Sequence, residues 1–162
     1  MSPASHDQHL FESRLVWTGA VKGGATNYET YSRDCRVDIP GKPSLRGSSA
    51  PAFRGDPSVH NPEDLLVVSL SMCHCLSYLA LCTRGGVNVV SYEDEATGTM
   101  SRFERGFHFT DVLLRPRVTI AAGSDPEKAH ALHEKAHTTC YIANSVNFPV
   151  RNEPVITVMA GV

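Results

Sequence analysis

Residues 61–82 read NPEDLLVVSLSMCHCLSYLALC, and the fold turns on how this run is interpreted. Asn61 is a favoured N-cap, Pro62 suits the first helical position, and Glu63 and Asp64 complement the positive end of a helix dipole. Beyond these start signals the run is apolar on nearly every side, and the RGG at 84–86 stops it. The reading is a helix of roughly 22 residues, about 33 Å long at 1.5 Å per residue. A helix apolar all round is buried all round. One this long in so short a chain points to a second subunit covering part of it.

Upstream, RLVWTGAV (14–21) reads as a first strand, and Gly23–Gly24 breaks it. TNYETYS (26–32) and CRVDI (35–39) read as a second, short strand region closed by Pro40, Gly41 and Pro43. Segment 40–60 reads as a long connection without structure of its own, a length often tied to function. Downstream, VNVVSYEDEATGTM (87–100) and FHFTDVLLRPRVTIA (107–121) alternate as two long strands of a hairpin, with Pro116 marking an edge or a bulge. SDPEKAHALHEKAHTTCYIANSV (124–146) opens a second helix, capped by Ser124 or Asp125, begun by Pro126, with Glu127 completing a capping box with Ser124. PVITVMAG (154–161) is a closing strand. The order gives an α+β fold, antiparallel β-sheets packed around a long buried central helix and a second helix. Residues 1–13 read as a polar, flexible leader and 14–162 as a single domain.

The bulk composition narrows the function classes. The chain has 162 residues, 41% hydrophobic and 20% charged, with a formal net charge of -2. This is ordinary for a globular domain and offers no basic field for nucleic acid or an anionic membrane. No unbroken run of 18 apolar residues occurs, so no membrane span is expected. The opening MSPASHDQHLFESR lacks the basic-then-apolar layout of a secretion signal. Five cysteines at uneven spacing suit a reducing, cytoplasmic setting better than a secreted disulfide framework.

Three of those five, Cys73, Cys75 and Cys82, stand close together with His74 between the first two. Neighbours on a helix lie about 100° apart, so Cys73, His74 and Cys75 cannot converge on one tetrahedral ion. HEKAH (133–137) matches H-E-x-x-H, with His130 on roughly the same side. The motif is short, the chain holds eight histidines, and no third ligand follows. Surface or hydrogen-bonded histidines are therefore the favoured reading, and no metal is assigned. RGD at 54–56 is read as loop chemistry. No G-x-S-x-G elbow is present, and Ser69, Ser71 and Ser77 are expected to bond helix carbonyls. Cys75 and Cys82 read as small buried hydrophobes, Cys82 on the opposite side of the helix from Cys73. Cys35 stands alone in a strand. A thiol becomes a nucleophile only as thiolate, which needs positive charge or donors nearby.

NPEDLLVVSLSMC resembles the signature of the OsmC/Ohr proteins, the osmotically induced and organic-hydroperoxide-resistance family. There N-P-E begins the central helix and a reactive cysteine follows the Glu by ten positions, as Cys73 follows Glu63. The AHTTC at 136–140 is similar to the family's second cysteine segment and aligns Cys140. VWTG near the start and the strands after Gly86 fit the same topology, so the resemblance runs from about residue 14. Tyr141 stands where many members have proline, and His74 and Cys75 replace a commoner apolar pair.

The resemblance implies a cofactor-free, thiol-dependent peroxidase for organic hydroperoxides. Cys73 would become a sulfenic acid, Cys140 would condense with it, and a dihydrolipoamide- or thioredoxin-like dithiol would reset the pair. It implies an Arg–Glu pair beside the thiol. Glu63 matches the Glu, with Arg54 the first choice and Arg33 the second for the arginine. It implies an intertwined homodimer, which accords with the length of the central helix. Phe53 and Tyr78 are expected to line an apolar substrate pocket, and His74 either tunes the thiol or sits as a satisfied core histidine. The alternative on the same scaffold is a non-catalytic redox sensor or a carrier of a small apolar ligand.

Overall fold

A computed structural model describes residues 8–160. Part of the leader expected over 1–13 lies outside the described residues, and residues 8–13 are exposed and carry neither helix nor strand. Contacts divide the chain into two compact units, Met1–Asp64 and Leu65–Val162.

The first unit is built on an antiparallel sheet of β1 (Arg14–Trp17), β2 (Cys35–Asp38) and β3 (Leu45–Gly47), in that order. The strand expected over 14–21 ends at Trp17. Gly19–Lys22 turns instead as a short 3-10 helix, and the Trp17 indole donates to the Ser32 carbonyl. Gly19 lies so close to both groups that a Cβ there would sit 2.4 Å from the indole nitrogen. TNYETYS is not a strand. The Asn27 carboxamide accepts from the Glu29 amide and the Asn27 carbonyl accepts from Thr30 and Tyr31, an Asx-type turn that overrides the strand propensity of the aromatic residues. Segment 40–60 is not structureless either. It holds β3, a 3-10 turn at Pro51–Phe53 and a bridge between Gly47 and His60. At Gly55 an added Cβ would fall 1.4 Å from the Ser49 carbonyl oxygen, so only glycine fits this loop.

Asn61 caps α1 (Pro62–Gly85) by accepting from the Asp64 amide at 2.8 Å, and Gly86, at φ 73°, takes the left-handed turn that ends it. In the second unit α1 buries one ridge, Leu70, His74, Tyr78 and Cys82, spaced four apart. Its opposite face is open. Leu65, Val68, Met72 and Leu76 are 37, 54, 58 and 62% exposed. The expectation of a helix buried all round is corrected here: a single chain covers only one face. By length and composition alone α1 is apolar enough to cross a membrane, a test that the core helix of a soluble protein passes equally.

The two long strands expected after α1 are four. β4 (Val89–Asp94) and β7 (Pro116–Ile120) pair in one sheet, β5 (Thr97–Phe103) and β6 (Gly106–Leu114) in another. They remain one hairpin, since Asp94 faces Pro116 and Thr97 faces Leu113, but it breaks on both strands at the same level. At the break the Arg115 amide donates to the Asp94 carboxylate, and the Arg115 guanidinium reaches the Glu95 carbonyl and Thr97 Oγ1. Pro116 marks this corner rather than an edge or a bulge. It opens β7, the central strand of its sheet, where a missing N–H is tolerated at a first position.

α2 (Pro126–Thr139) follows. Asp125 is its cap, accepting from the Glu127 and Lys128 amides, while Ser124 Oγ accepts from Asn88, so the expected Ser124–Glu127 box does not form. The helix returns the chain so that β8 (Val150–Asn152) joins β6 and β9 (Val155–Val158) joins β7 in parallel. The sheets are therefore mixed, as a helical crossover permits. Two apolar clusters result, one around Tyr78, Val118, Ile120 and Ala129, the other around Leu70, Val112, Leu114 and Val150.

Candidate functional site

Cys73, half-buried on α1, and Cys140, buried immediately after α2, come together. The end of α2 fixes Cys140 locally. Its amide donates to the His137 carbonyl, its carbonyl accepts from Asn144, and Ala143 N–H points at its sulfur at 3.5 Å. Burial first, and then a side-chain hydrogen bond to Cys73, push the Cys140 thiol above the ordinary range. The two sulfurs thus lie beside each other, near enough for their side chains to interact. All five cysteines are free thiols. Cys75 and Cys82 have raised pKa values, burial being the first cause in each, which suits the packing role expected of them.

Beside the thiols lies a buried aromatic and imidazole stack. His74 Nε2 is 3.0 Å from His133 Nδ1. The His133 ring stacks on Tyr78 with centroids 3.8 Å apart, and Tyr78 Oη donates to the Ala129 carbonyl at 3.0 Å. His74 is thus a paired core histidine, one of the two readings given for it. Tyr78 is core as well and lines no substrate pocket, a correction that follows from its complete burial. The H-E-x-x-H motif is split by environment: His133 is buried against His74 and Tyr78, and Glu134 is exposed. Ser69 bonds the Leu66 carbonyl as expected, but Ser71 donates to the Asp94 carboxylate instead of a helix carbonyl.

Burial holds both imidazoles neutral, His74 lowered to about 4 and His133 to about 3. In the unfolded chain each titrates near its ordinary value, about 6.5. The unfolded state therefore binds more protons between these limits, and stability falls as pH drops from about 6.5 toward the folded values. Urea midpoints measured from pH 7 to pH 4 are expected to decline in the wild type and to stay flatter in His74→Leu/His133→Leu.

In the first unit Glu63 stands in the first turn of α1, and its Oε2 is buried without a hydrogen-bond partner among the described residues. Neither candidate arginine meets it. Arg54, whose backbone takes φ 66°, forms an ion pair with Glu29. Arg33 donates to the Tyr31 and Tyr28 carbonyls, its guanidinium 4.1 Å over the Tyr31 ring. The residue that sequence reasoning missed is His133 as the partner of His74. Its signal was present in Ala129, His133, Ala136 and Cys140, spaced to share one face of α2.

The model of the OsmC-like protein family matches residues 55–154. The chain belongs to the OsmC-like family. A solved OsmC-like protein of unknown function from Vibrio cholerae is 28% identical, with a TM-score of 0.82 over 91% of this chain and 100% of that one. An organic hydroperoxide resistance protein from Elizabethkingia anophelis has the same fold at 16% identity, with a TM-score of 0.69 over 95% of this chain and 99% of that one. OhrB of Bacillus subtilis, also an organic hydroperoxide resistance protein, has it at 19% identity, with a TM-score of 0.61 over 92% and 100%. The uncharacterized protein YmaD of Bacillus subtilis is 25% identical over 89 residues, 53% of this chain, and the match spans only 59% of YmaD. The α+β architecture of this OsmC-like protein thus agrees with that of its solved neighbours.

Proposed function

We propose that this OsmC-like protein is a thiol-dependent peroxidase that reduces organic hydroperoxides. The observation that carries the reading is the nearness of the Cys140 side chain to that of Cys73, brought together from two different helices. The Cys73 thiolate attacks the distal oxygen of the hydroperoxide, the O–O bond breaks, and the departing alkoxide takes a proton to become the alcohol. Cys73 is left as a sulfenic acid. The Cys140 sulfur then attacks it, water leaves, and the Cys73–Cys140 disulfide forms. A dihydrolipoamide- or thioredoxin-like dithiol restores both thiols through a mixed disulfide. A reducing cytoplasm supplies such a donor and suits five free thiols. The chemistry needs no cofactor.

Glu63 and an arginine, Arg54 before Arg33, complete the site in this reading by favouring the thiolate and holding the hydroperoxide. The unpartnered Glu63 Oε2 supports a missing cation, because a buried carboxylate oxygen left alone is costly. Ten residues along one helix amount to about 15 Å, so the carboxylate that serves a given Cys73 is the partner subunit's Glu63. The open face of α1, Leu65, Val68, Met72 and Leu76, supports a homodimer that covers it. Leu76→Glu is expected to convert a dimer to a monomer in sedimentation or light scattering, since a charge buried unpaired costs several kcal/mol. A wild-type monomer, or adsorption of the wild type to lipid vesicles through this face, contradicts the dimer.

Stopped-flow consumption of cumene hydroperoxide, with dihydrolipoamide or thioredoxin as reductant, tests the whole reading. Sustained turnover is expected. A disulfide that forms but resists both reductants favours the redox sensor instead.

A further inference from the structure

α1 and α2 meet through three polar contacts that run in opposite directions along the two helices. Tyr78 reaches Ala129, His74 reaches His133, and Cys73 reaches Cys140. The buried face of α2 consists of Ala129, His133 and Ala136, followed by Cys140, and that of α1 of Leu70, His74, Tyr78 and Cys82. The alanines allow close approach, and the two imidazoles fill the space between with a directional bond. Apolar packing alone tolerates sliding, whereas a hydrogen bond is lost once its atoms part beyond about 3.5 Å. A disulfide is as demanding, needing Cα atoms within about 7 Å, and a slip of one helical turn is about 5.4 Å. His133 stands seven residues before Cys140, two turns back on the same helix, so anchoring it sets where the end of α2 lies.

We propose that the His74–His133 hydrogen bond is a positioning device that holds α2 in the register where Cys140 meets Cys73, so that closure of their disulfide depends on it. Its physiological meaning rests on the thiol-pair reading above, but its geometry can be tested without peroxide. His74 also stands where the OsmC/Ohr signature is more commonly apolar. Exchanging both members of a buried hydrogen bond for apolar groups of similar shape is nearly neutral for stability. A register role therefore separates from a merely structural one.

The test is the equilibrium of the full chain with glutathione, in which two thiols and oxidised glutathione give the Cys73–Cys140 disulfide and two reduced glutathiones. Acid-quenched, alkylated samples are mapped by mass spectrometry across glutathione ratios. In His74→Leu/His133→Leu the urea midpoint at neutral pH is expected to stay near that of the wild type. Its disulfide equilibrium constant is expected to fall at least about ten-fold, about 30 mV for this two-electron couple. His133→Asn, which sets a polar atom where Nδ1 stood, is expected to recover most of that loss. Val112→Ala, a truncation in the other core cluster, is expected to lower stability without moving the constant. If the double leucine variant does not fold, His133→Ala read against His133→Asn carries the same comparison. An unchanged constant in the folded variants overturns the proposal, as does a wild type that closes no Cys73–Cys140 disulfide at any ratio. A shifted constant without hydroperoxide turnover in the wild type upholds the positioning role and removes the peroxidase reading. Turnover with an unshifted constant does the reverse.

Discussion

Cys73→Ser is expected to abolish hydroperoxide consumption. The proposed chemistry begins with attack on the O–O bond by an ionised sulfur, and a serine hydroxyl stays protonated at neutral pH and is a far weaker nucleophile. The loss should reach about three orders of magnitude or more. The fold should survive, because Cys73 is half-buried on α1 and the exchange of sulfur for oxygen changes little volume. Circular dichroism and the urea midpoint check that survival, and stopped-flow kinetics with cumene hydroperoxide read the activity. Consumption at the wild-type rate would remove Cys73 from the chemistry altogether.

Cys140→Ala is expected to separate the two halves of the cycle. The first equivalent of hydroperoxide should still be consumed, leaving a Cys73 sulfenic acid that dimedone traps. No second turnover should follow, because the buried partner that condenses with it is gone. Excess peroxide should then drive Cys73 on to the sulfinic acid, which dithiols do not reduce. Sustained turnover in this variant would assign the resolving step to another thiol, with Cys75 the nearest alternative in sequence.

What the sequence disclosed, and what it withheld, follows from the range of each interaction. α1 was legible from Asn61, Pro62 and the glycines after Arg84, because caps and breakers act within one turn. Cys73 and Cys140 were legible through resemblance, from spacing to Glu63 and from AHTTC. The open face of α1 was not, because an all-apolar helix bears no mark of which side its own chain covers. Nor was the corner at Glu95 and Arg115, where strand propensity continues unbroken and only tertiary bonds from Arg115 to Asp94 and Thr97 turn the chain. β8 is three residues long and takes its shape from pairing with β6, a partner far away in sequence. The His74–His133 pair escaped for the same reason. Each histidine had a bland local reading, and only the packing of α1 on α2 makes them one unit. The arginine that would serve Glu63 is the least legible feature, since Arg54 and Arg33 are engaged within their own unit by Glu29 and by tyrosine carbonyls.

Peptide mapping of the protein after one equivalent of cumene hydroperoxide, without reductant, tests the core of this account most directly. The predicted result is a single new cross-link joining the Cys73 peptide to the Cys140 peptide, formed within one turnover. Cys73 recovered unmodified, or recovered as an oxyacid while Cys140 remains a free thiol, would contradict it.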